Sequence, residues 1–200
     1  MIIIGITGPI ATGKSAVDGM LRDLGADPVI DGDRVVHELY RDSRPLQERL
    51  VALFGPEVMG ADGTIDRRAL GEQVFGDPTA LRRLEEIVHP AVRAEVRRRL
   101  NETNATRPDA VAVVDAVKLL QGDLARLCTA RWWVAADRAE QARRLVENRG
   151  YSHEEAARRL AAQPRLEDYR DQVDLVIDNS GPLDDTRRQV EAAWRALLGG

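Results

Sequence analysis

One short segment, residues 8–15, constrains this chain more than any other. It reads Gly8-Pro9-Ile10-Ala11-Thr12-Gly13-Lys14-Ser15 and fits the pattern G-x4-G-K-[ST]. An apolar, β-branched run, Ile2–Thr7, precedes it, and a helical pattern from Ser15 to Leu24 follows. In this context glycines let the backbone wrap around phosphate oxygens, and N–H groups at the helix N-terminus point at them. The segment therefore predicts a phosphate-binding loop, the alternative being a strand–helix turn that holds no ligand.

Within the loop, two side chains have a predicted role of their own. Lys14 supplies a positive point charge for the β- and γ-phosphates of a nucleoside triphosphate, and it is one of only two lysines in the chain, with Lys118. The Ser15 hydroxyl is a suitable ligand for Mg²⁺. The residues expected to contact the nucleotide here are Gly8, Ala11, Thr12, Gly13, Lys14, Ser15 and Ala16.

Strand-like and helix-like segments alternate along the rest of the chain. This order predicts an α/β fold in which helices flank a parallel sheet. We expect the longest helix to kink or break near Pro90. The predicted strands are Ile2–Thr7, Pro28–Ile30, Val111–Val114, Arg131–Ala135 and Leu175–Ile177. The predicted helices after the first are Arg34–Tyr40, Pro45–Phe54, Arg67–Phe75, Pro78–Asn101, Arg138–Asn148, one opening at Ser152, and Leu183–Leu198.

Carboxylates follow two of the predicted strands. Asp31 and Asp33 come after the second strand, where the carboxyl edge of a parallel sheet lies beside the phosphate loop. A carboxylate there could accept the proton of a hydroxyl that attacks the γ-phosphate. Asp115 ends the third strand and could reach Mg²⁺ directly or through water. For all three residues the alternative is that the carboxylate caps the next helix.

A predicted helical segment, residues 138–172, carries many arginines. A mobile lid of this kind could bring positive charge to a transferring phosphoryl group and exclude water from it. The alternative is a solvated face on which the arginines pair with Glu147, Glu154 and Glu155. Six of these arginines lie within a short span: Arg143, Arg144, Arg149, Arg158, Arg159 and Arg165.

Composition excludes several classes of protein. The 200 residues carry a formal net charge of −4, which gives no basic footprint for a nucleic-acid binder. A single cysteine, Cys128, rules out an intramolecular disulfide and a Cys-rich zinc site. No apolar run reaches the roughly 18 residues that span a bilayer, so we expect no membrane partner. The opening apolar run lacks a basic lead-in, and we expect a cytoplasmic protein; nothing in the sequence indicates an oligomeric state.

Further motifs carry a family resemblance along nearly the whole chain. In addition to the phosphate loop, they are an Asp-x-Asp segment, an Asp-Gly…Asp-Arg segment, a His-Pro pair and an Ile-Asp-Asn segment. With them, the chain resembles the dephospho-coenzyme A kinases, P-loop enzymes that phosphorylate the ribose 3′-hydroxyl in the last step of coenzyme A synthesis. The matching residues are Asp31-Gly32-Asp33, Asp62-Gly63-Thr64-Ile65-Asp66-Arg67, His89-Pro90, Gln141, Arg144, Arg149, Gln163 and Ile177-Asp178-Asn179.

The resemblance implies a three-layer nucleotide-kinase-like fold with a five-stranded parallel sheet, MgATP as donor and dephospho-coenzyme A as acceptor. It implies one P-loop kinase domain: a core of residues 1–33, 105–137 and 173–200, an acceptor-binding subdomain of 34–104 and a lid of 138–172. By position, Asp33 is similar to the proposed general base of the family, and Arg149, with Arg144, to its lid arginines at the phosphates. Asn179 and Gly181 correspond to the loop near the adenine, and His89 to the acceptor side.

The sequence departs from the family pattern at three places. Pro9 and Ala11 replace common glycines; Pro9 removes one N–H group, and we expect the change at Ala11 to be mild. His37 stands where an arginine is usual, and Lys118 stands where leucine is usual, so we expect both near the acceptor, with Lys118 compensating for the missing arginine. These changes leave two alternatives open: a kinase of another nucleoside or nucleotide, and a non-catalytic ATP-binding regulator.

Overall fold

The fold is built on five short strands that are apolar because helices cover the sheet. A computed structural model describes residues 1–199. The sheet has the order β2-β3-β1-β4-β5, and the pairings of β1 with β3 and β4, and of β4 with β5, are parallel. The prediction of a five-stranded parallel sheet is therefore confirmed. The strands are β1 (Ile2–Thr7), β2 (Val29–Asp31), β3 (Val111–Asp115), β4 (Ala130–Ala135) and β5 (Leu175–Asp178).

Eight α-helices connect or follow these strands within residues 1–199. They are α1 (Lys14–Asp23), α2 (Gly32–Asp42), α3 (Arg44–Phe54), α4 (Arg67–Val74), α5 (Pro78–Thr106), α6 (Arg138–Arg149), α7 (His153–Ala161) and α8 (Leu183–Leu198). Two helix ends have clear local signals in the sequence. Gly150 ends α6 in the left-handed conformation, and the Ser152 hydroxyl accepts the N–H of Glu155 at the start of α7.

The long helix α5 is not broken at Pro90, which lies in its interior. Proline removes one backbone hydrogen bond, but packing on both sides of it can hold the two halves in one helix. Val88, Val92, Val96 and Leu100 are all buried at helical spacing on this helix. Of the two expected outcomes, the break is therefore wrong, because burial of one continuous apolar face outweighs a single lost bond, and the kink stays a prediction.

The chain divides into two compact units. The first contains residues 1–30 and the described chain from Thr103 onward, and the second is Asp31–Glu102. The core of the first unit lies between the sheet and its helices, where Ile4, Ile6 and Val113 meet Val17 and Leu21 of α1. This packing fixes the start of α1 against the end of β1, and so positions the loop between them.

No helix among residues 1–199 is both long enough and apolar enough to cross a membrane.

Candidate active site

The loop between β1 and α1 requires glycine at two of its positions. Gly8 has φ +152°, and a Cβ atom built on it would lie 2.3 Å from the backbone oxygen of Val134. Gly13 has φ +90°, and its Cβ would lie 2.1 Å from Nδ2 of Asn179. Any side chain at either position would combine a strained backbone with a clash. The two glycines of the G-x4-G motif are therefore required by the geometry of the loop.

Ala11, between these glycines, also has a left-handed backbone, with φ +61°. For a residue with a Cβ atom this conformation costs about 1–2 kcal/mol. The substitution is therefore more costly than the mild change that the sequence suggests, and neighbouring contacts must offset the strain. One such contact lies inside the loop, where the Thr12 hydroxyl donates a hydrogen bond to the Pro9 carbonyl at 3.0 Å.

The end of the loop becomes the first turn of α1. Gly13 is the N-cap of this helix and carries no capping side chain, so the first N–H groups of the helix face outward from its N-terminus. Lys14 Nζ donates to the Gly8 carbonyl at 3.2 Å, which places the ammonium group over the loop. The Ser15 side chain is exposed, whereas the Ala16 N–H already donates to the Gly13 carbonyl at 3.0 Å. This arrangement concentrates positive charge and N–H donors, as anion binding requires.

Asn179, the residue that follows β5, stabilises the loop between β1 and α1. Its side chain is 3% exposed, and Nδ2 donates to the Thr12 carbonyl at 2.7 Å while Oδ1 accepts the Thr186 hydroxyl at 2.8 Å. The side-chain amide is thus engaged with protein groups, and the predicted contact of Asn179 with adenine stays a prediction. Gly181 is exposed two residues further on.

Arg144, on α6, contacts the backbone of the loop. Nη1 donates to the carbonyls of Ala11 and Thr12, each at 3.2 Å, and Nη2 donates to the Asn179 carbonyl at 2.8 Å. Nε donates to Glu140 Oε1 at 2.8 Å. The Arg143 hydrogen bond and then that of Arg144 lower the pKa of Glu140 to about 2, so Glu140 is ionised and holds the guanidinium in place. Arg144 therefore shapes the loop through its carbonyl groups.

The other five of these six arginines fall into two groups. Arg143 pairs with Glu140 and Glu147, Arg159 with Glu155, and Arg165 with Asp168. The alternative of a solvated, paired face is therefore correct for Arg143 and Arg159, and Arg165 is also paired, although with Asp168. Arg149 and Arg158 are exposed and form no ion pair with any residue from 1 to 199. Arg149, in the last turn of α6, thus has a guanidinium that is not engaged by a neighbouring carboxylate.

One residue that contacts the loop was given no role by the sequence reasoning. Gln163 follows α7, and its Oε1 accepts the N–H of Ile10 at 3.0 Å. Its place in the family pattern was a signal, but the contact joins positions 153 residues apart and no local pattern reveals it. The side chains of Ile10 and Ala11 also pack on a small apolar cluster of α6 and α7, formed by Leu145, Ala156 and Leu160.

Two oxygen groups suit a magnesium ion near the loop. Ser15 presents an exposed hydroxyl, and Asp115 ends β3 opposite Ile6 of the neighbouring strand β1, close to the start of the loop. A hydroxyl and a carboxylate are the hard oxygen ligands that Mg²⁺ takes when phosphates complete its shell. Among residues 1–199, no group of three or more His, Cys, Asp or Glu side chains could hold a metal by itself. The donor set therefore fits an ion that arrives with a nucleotide.

In the second unit, the two aspartates after β2 have different positions. Asp31 is the N-cap of α2, and its Oδ1 accepts the N–H groups of Asp33 and Arg34 at 2.9 and 3.1 Å. The alternative of a helix cap is thus correct for Asp31. Since α2 already begins at Gly32, the two side chains do not share an extended segment. Asp33 lies in the first turn of α2 and is exposed.

Asp33 also lines a cleft of about 480 Å³ within this unit. His37, one helical turn further along α2, lines the same cleft, with Tyr40 and Arg67. Burial raises the pKa of Tyr40, and Arg67 opposes this shift because its positive charge stabilises the phenolate. Arg67 also gives the cleft a cation. Apolar side chains complete the walls, including Val36, Leu70, Val74 and Leu84.

The remaining predicted acceptor residues lie elsewhere. His89 is exposed on α5 and is not among the residues that line this cleft. Lys118 belongs to the first unit, where it is exposed and precedes a short 3₁₀ helix, Leu119–Gln121. The positions of His89 and Lys118 do not decide whether these residues contact the acceptor, so both contacts stay predictions.

Comparison with known proteins identifies the family. The family model described as dephospho-CoA kinase matches residues 2–185. The chain belongs to the dephospho-CoA kinase family. A curated dephospho-CoA kinase of Symbiobacterium thermophilum is 48% identical over 200 residues, which is all of this chain and 83% of that protein.

Solved structures agree with the fold of this family. A crystal structure of a Thermus thermophilus protein is similar with a TM-score of 0.77 and 36% identity, and the match covers 98% of this chain and 97% of the other. The dephospho-CoA kinase of Campylobacter jejuni has the same fold with a TM-score of 0.64 at 22% identity, covering 99% of this chain and 98% of that one. The predicted P-loop kinase-like fold is thereby confirmed.

Proposed function

We propose that this chain transfers the γ-phosphoryl group of ATP to the ribose 3′-hydroxyl of dephospho-coenzyme A, the final step of coenzyme A synthesis. The observation that carries the proposal is a fully formed phosphate loop in a chain that matches the dephospho-CoA kinase family over residues 2–185. In the reaction, the bond from the γ-phosphorus to the bridging oxygen of ADP breaks. A bond from the 3′-oxygen to the same phosphorus forms.

The nucleotide binds where the loop meets α1. The backbone from Gly8 to Ala16 wraps the phosphates, and Lys14 moves from the Gly8 carbonyl to the β- and γ-phosphates, a short displacement of one flexible side chain. Arg149 closes from the lid and adds charge that no carboxylate neighbour competes for. Asn179 and Gly181 border the adenine, with Arg144 behind the loop.

Magnesium accompanies the nucleotide in this proposal. Ser15 and Asp115 would hold the ion, Ser15 through its hydroxyl and Asp115 through its carboxylate, directly or through water. When bound, the ion neutralises charge on the phosphate oxygens. This role is supported by the hard-oxygen chemistry of the two side chains.

The acceptor is bound by residues 34–104, with residues 138–172 as lid and residues 1–33, 105–137 and 173–200 as core. Asp33 accepts the proton of the 3′-hydroxyl as that oxygen attacks. Its exposed position in the wall of a cleft supports this role, as does the capping of α2 by Asp31, which leaves the Asp33 carboxylate available. His37, His89 and Lys118 contact the remainder of the acceptor, and the reaction takes place in the cytoplasm without a nucleic-acid or membrane partner.

Acceptor screening tests the function. The protein is given MgATP and one acceptor at a time, and ADP release is followed by a coupled assay. Dephospho-coenzyme A should give turnover far above that of adenosine, other nucleosides and nucleoside monophosphates. Preference for another acceptor would identify a different small-molecule kinase, and tight ATP binding without turnover would identify a regulator.

The general base has its own test. Asp33→Asn should lower kcat by at least ~10²-fold, because removing a positioned base usually costs this much. The dissociation constant for ATP should stay unchanged, since Asp33 is not part of the loop. Asp31→Asn is the matched control, because asparagine still caps α2 and its kcat should stay within a few fold of the wild type. A near-wild-type kcat for Asp33→Asn would refute the role.

A further inference from the structure

Residues 138–172 contact the middle of the phosphate loop both through hydrogen bonds to its backbone and through apolar side-chain packing. Gln163 Oε1 accepts the Ile10 N–H at 3.0 Å. Arg144 Nη1 donates to the carbonyls of Ala11 and Thr12 at 3.2 Å. The side chains of Ile10 and Ala11 pack against apolar residues of α6 and α7. Residues 138–172 therefore hold the backbone N–H and carbonyl groups of this stretch as well as its apolar side chains.

Gln163 is itself held in a defined position. Its own N–H donates to the Leu160 carbonyl at 3.2 Å, which ties it to the last turn of α7. Pro164 follows and disfavours a helical backbone at the glutamine. The side chain is partly buried against the loop. The amide oxygen that meets Ile10 is thus presented from a fixed backbone.

The sequence of the loop makes this contact more important than it would be in a glycine-rich loop. Pro9 has no N–H group to offer, and the N–H of Ile10 is turned toward Gln163. Pro9 and Ile10 therefore offer no N–H group to a phosphate, and the next residue along the loop, Ala11, has a backbone in the left-handed region that disfavours a Cβ atom. A loop with this strain relaxes to other conformations unless its neighbours hold it.

We infer that Gln163 is a positioning residue that keeps the phosphate loop in its ATP-binding conformation by accepting the Ile10 N–H. In this view the 138–172 segment sets the shape of the loop before ATP arrives, in addition to covering the phosphates afterwards. The affinity for ATP then depends on a residue that touches no part of the nucleotide. The inference rests on the proposed function only in taking ATP as the ligand of the loop.

The test replaces Gln163 by methionine, which keeps the length of the side chain and removes the acceptor. ATP binding is measured by calorimetry without any acceptor, and KM is measured for both substrates. Gln163→Met should raise the dissociation constant and KM for ATP by roughly 3- to 10-fold, the change that one ordinary hydrogen bond corresponds to. KM for dephospho-coenzyme A should change little, the melting temperature should fall by no more than about 2–4 °C, and hydrogen exchange at the Ile10 amide should become faster.

Gln172→Met is the matched control, because Gln172 is an exposed glutamine of the same segment, and it should behave as the wild type. Unchanged or tighter ATP binding in Gln163→Met would overturn the inference. So would parallel losses in ATP affinity, acceptor affinity and melting temperature, which indicate a general structural role. If the wild-type protein fails to phosphorylate dephospho-coenzyme A, the proposed function fails, whereas the calorimetric comparison still decides the role of Gln163.

Discussion

Asn179 is the buried link between the sheet and the phosphate loop, and its removal can be worked out in detail. Asn179→Ala deletes the 2.7 Å hydrogen bond to the Thr12 carbonyl and the 2.8 Å bond from Thr186. Each bond contributes about 1 kcal/mol net. The two partners keep other contacts, since Thr12 still accepts from Arg144 and Thr186 still faces the Asp178 carbonyl at 3.4 Å. We therefore expect a loss of about 2 kcal/mol without a large additional penalty for unsatisfied groups.

Urea and thermal unfolding measure this loss directly. For a chain of this size, about 2 kcal/mol lowers the melting temperature by about 4–8 °C. Thr186→Val should cost about 1 kcal/mol, because it removes only the hydroxyl bond. The double variant should be no less stable than Asn179→Ala alone, which gives a coupling energy of about 1 kcal/mol. ATP affinity should fall in Asn179→Ala and stay close to wild type in Thr186→Val.

Asn148→Ala is the control for this series, because Asn148 is exposed on α6 and should change stability by less than about 0.5 kcal/mol. A loss below about 0.5 kcal/mol for Asn179→Ala would refute the reasoning. Strict additivity of Asn179→Ala and Thr186→Val would also refute it, since the two side chains would then not share a bond.

Two further predictions concern titratable groups. Burial raises the pKa of the Cys128 thiol to about 12, so iodoacetamide at pH 8 should label the native protein far more slowly than the unfolded one; equal rates would contradict this burial. The Arg98 hydrogen bond, followed by that of Arg99, lowers the pKa of Glu95 to about 2. Its stabilising effect is complete above the ordinary value of 4.5 and is lost as pH falls toward about 2. Unfolding free energies of Glu95→Gln should therefore depend less on pH in that window than those of the wild type, and identical profiles would refute the pairing.

Local patterns explain why much of the fold could be predicted. The five strands are found within one or two residues of their predicted bounds, because each is a short apolar run with a clear end. The two glycines of the loop are likewise decided locally, by φ and by close approach. Of the kink or break expected at Pro90, the break was wrong, because the burial that holds α5 together comes from other parts of the fold and leaves no sign at the proline itself.

Contacts within the site were harder to predict, because they join distant positions. The sequence left Asp31 and Asp33 equally able to cap a helix, and only the start of α2 at Gly32 separates them. Arg144 was expected at the phosphates, whereas its hydrogen bonds run to the carbonyls of the loop. The position of Arg144 depends on Glu140, which accepts from Nε, and on the Asn179 carbonyl after β5, which accepts from Nη2. A motif predicts which residues meet a ligand, but not which residues support them.

The position of the transferred phosphate is the decisive test of phosphorylation at the ribose 3′-hydroxyl. The protein is incubated with dephospho-coenzyme A and ATP labelled at the γ-phosphate, and the product is analysed by phosphorus NMR and mass spectrometry. We expect one new phosphomonoester on the ribose 3′-oxygen, formed in equal amount to ADP. Label released as inorganic phosphate, or found on any other oxygen, would contradict it.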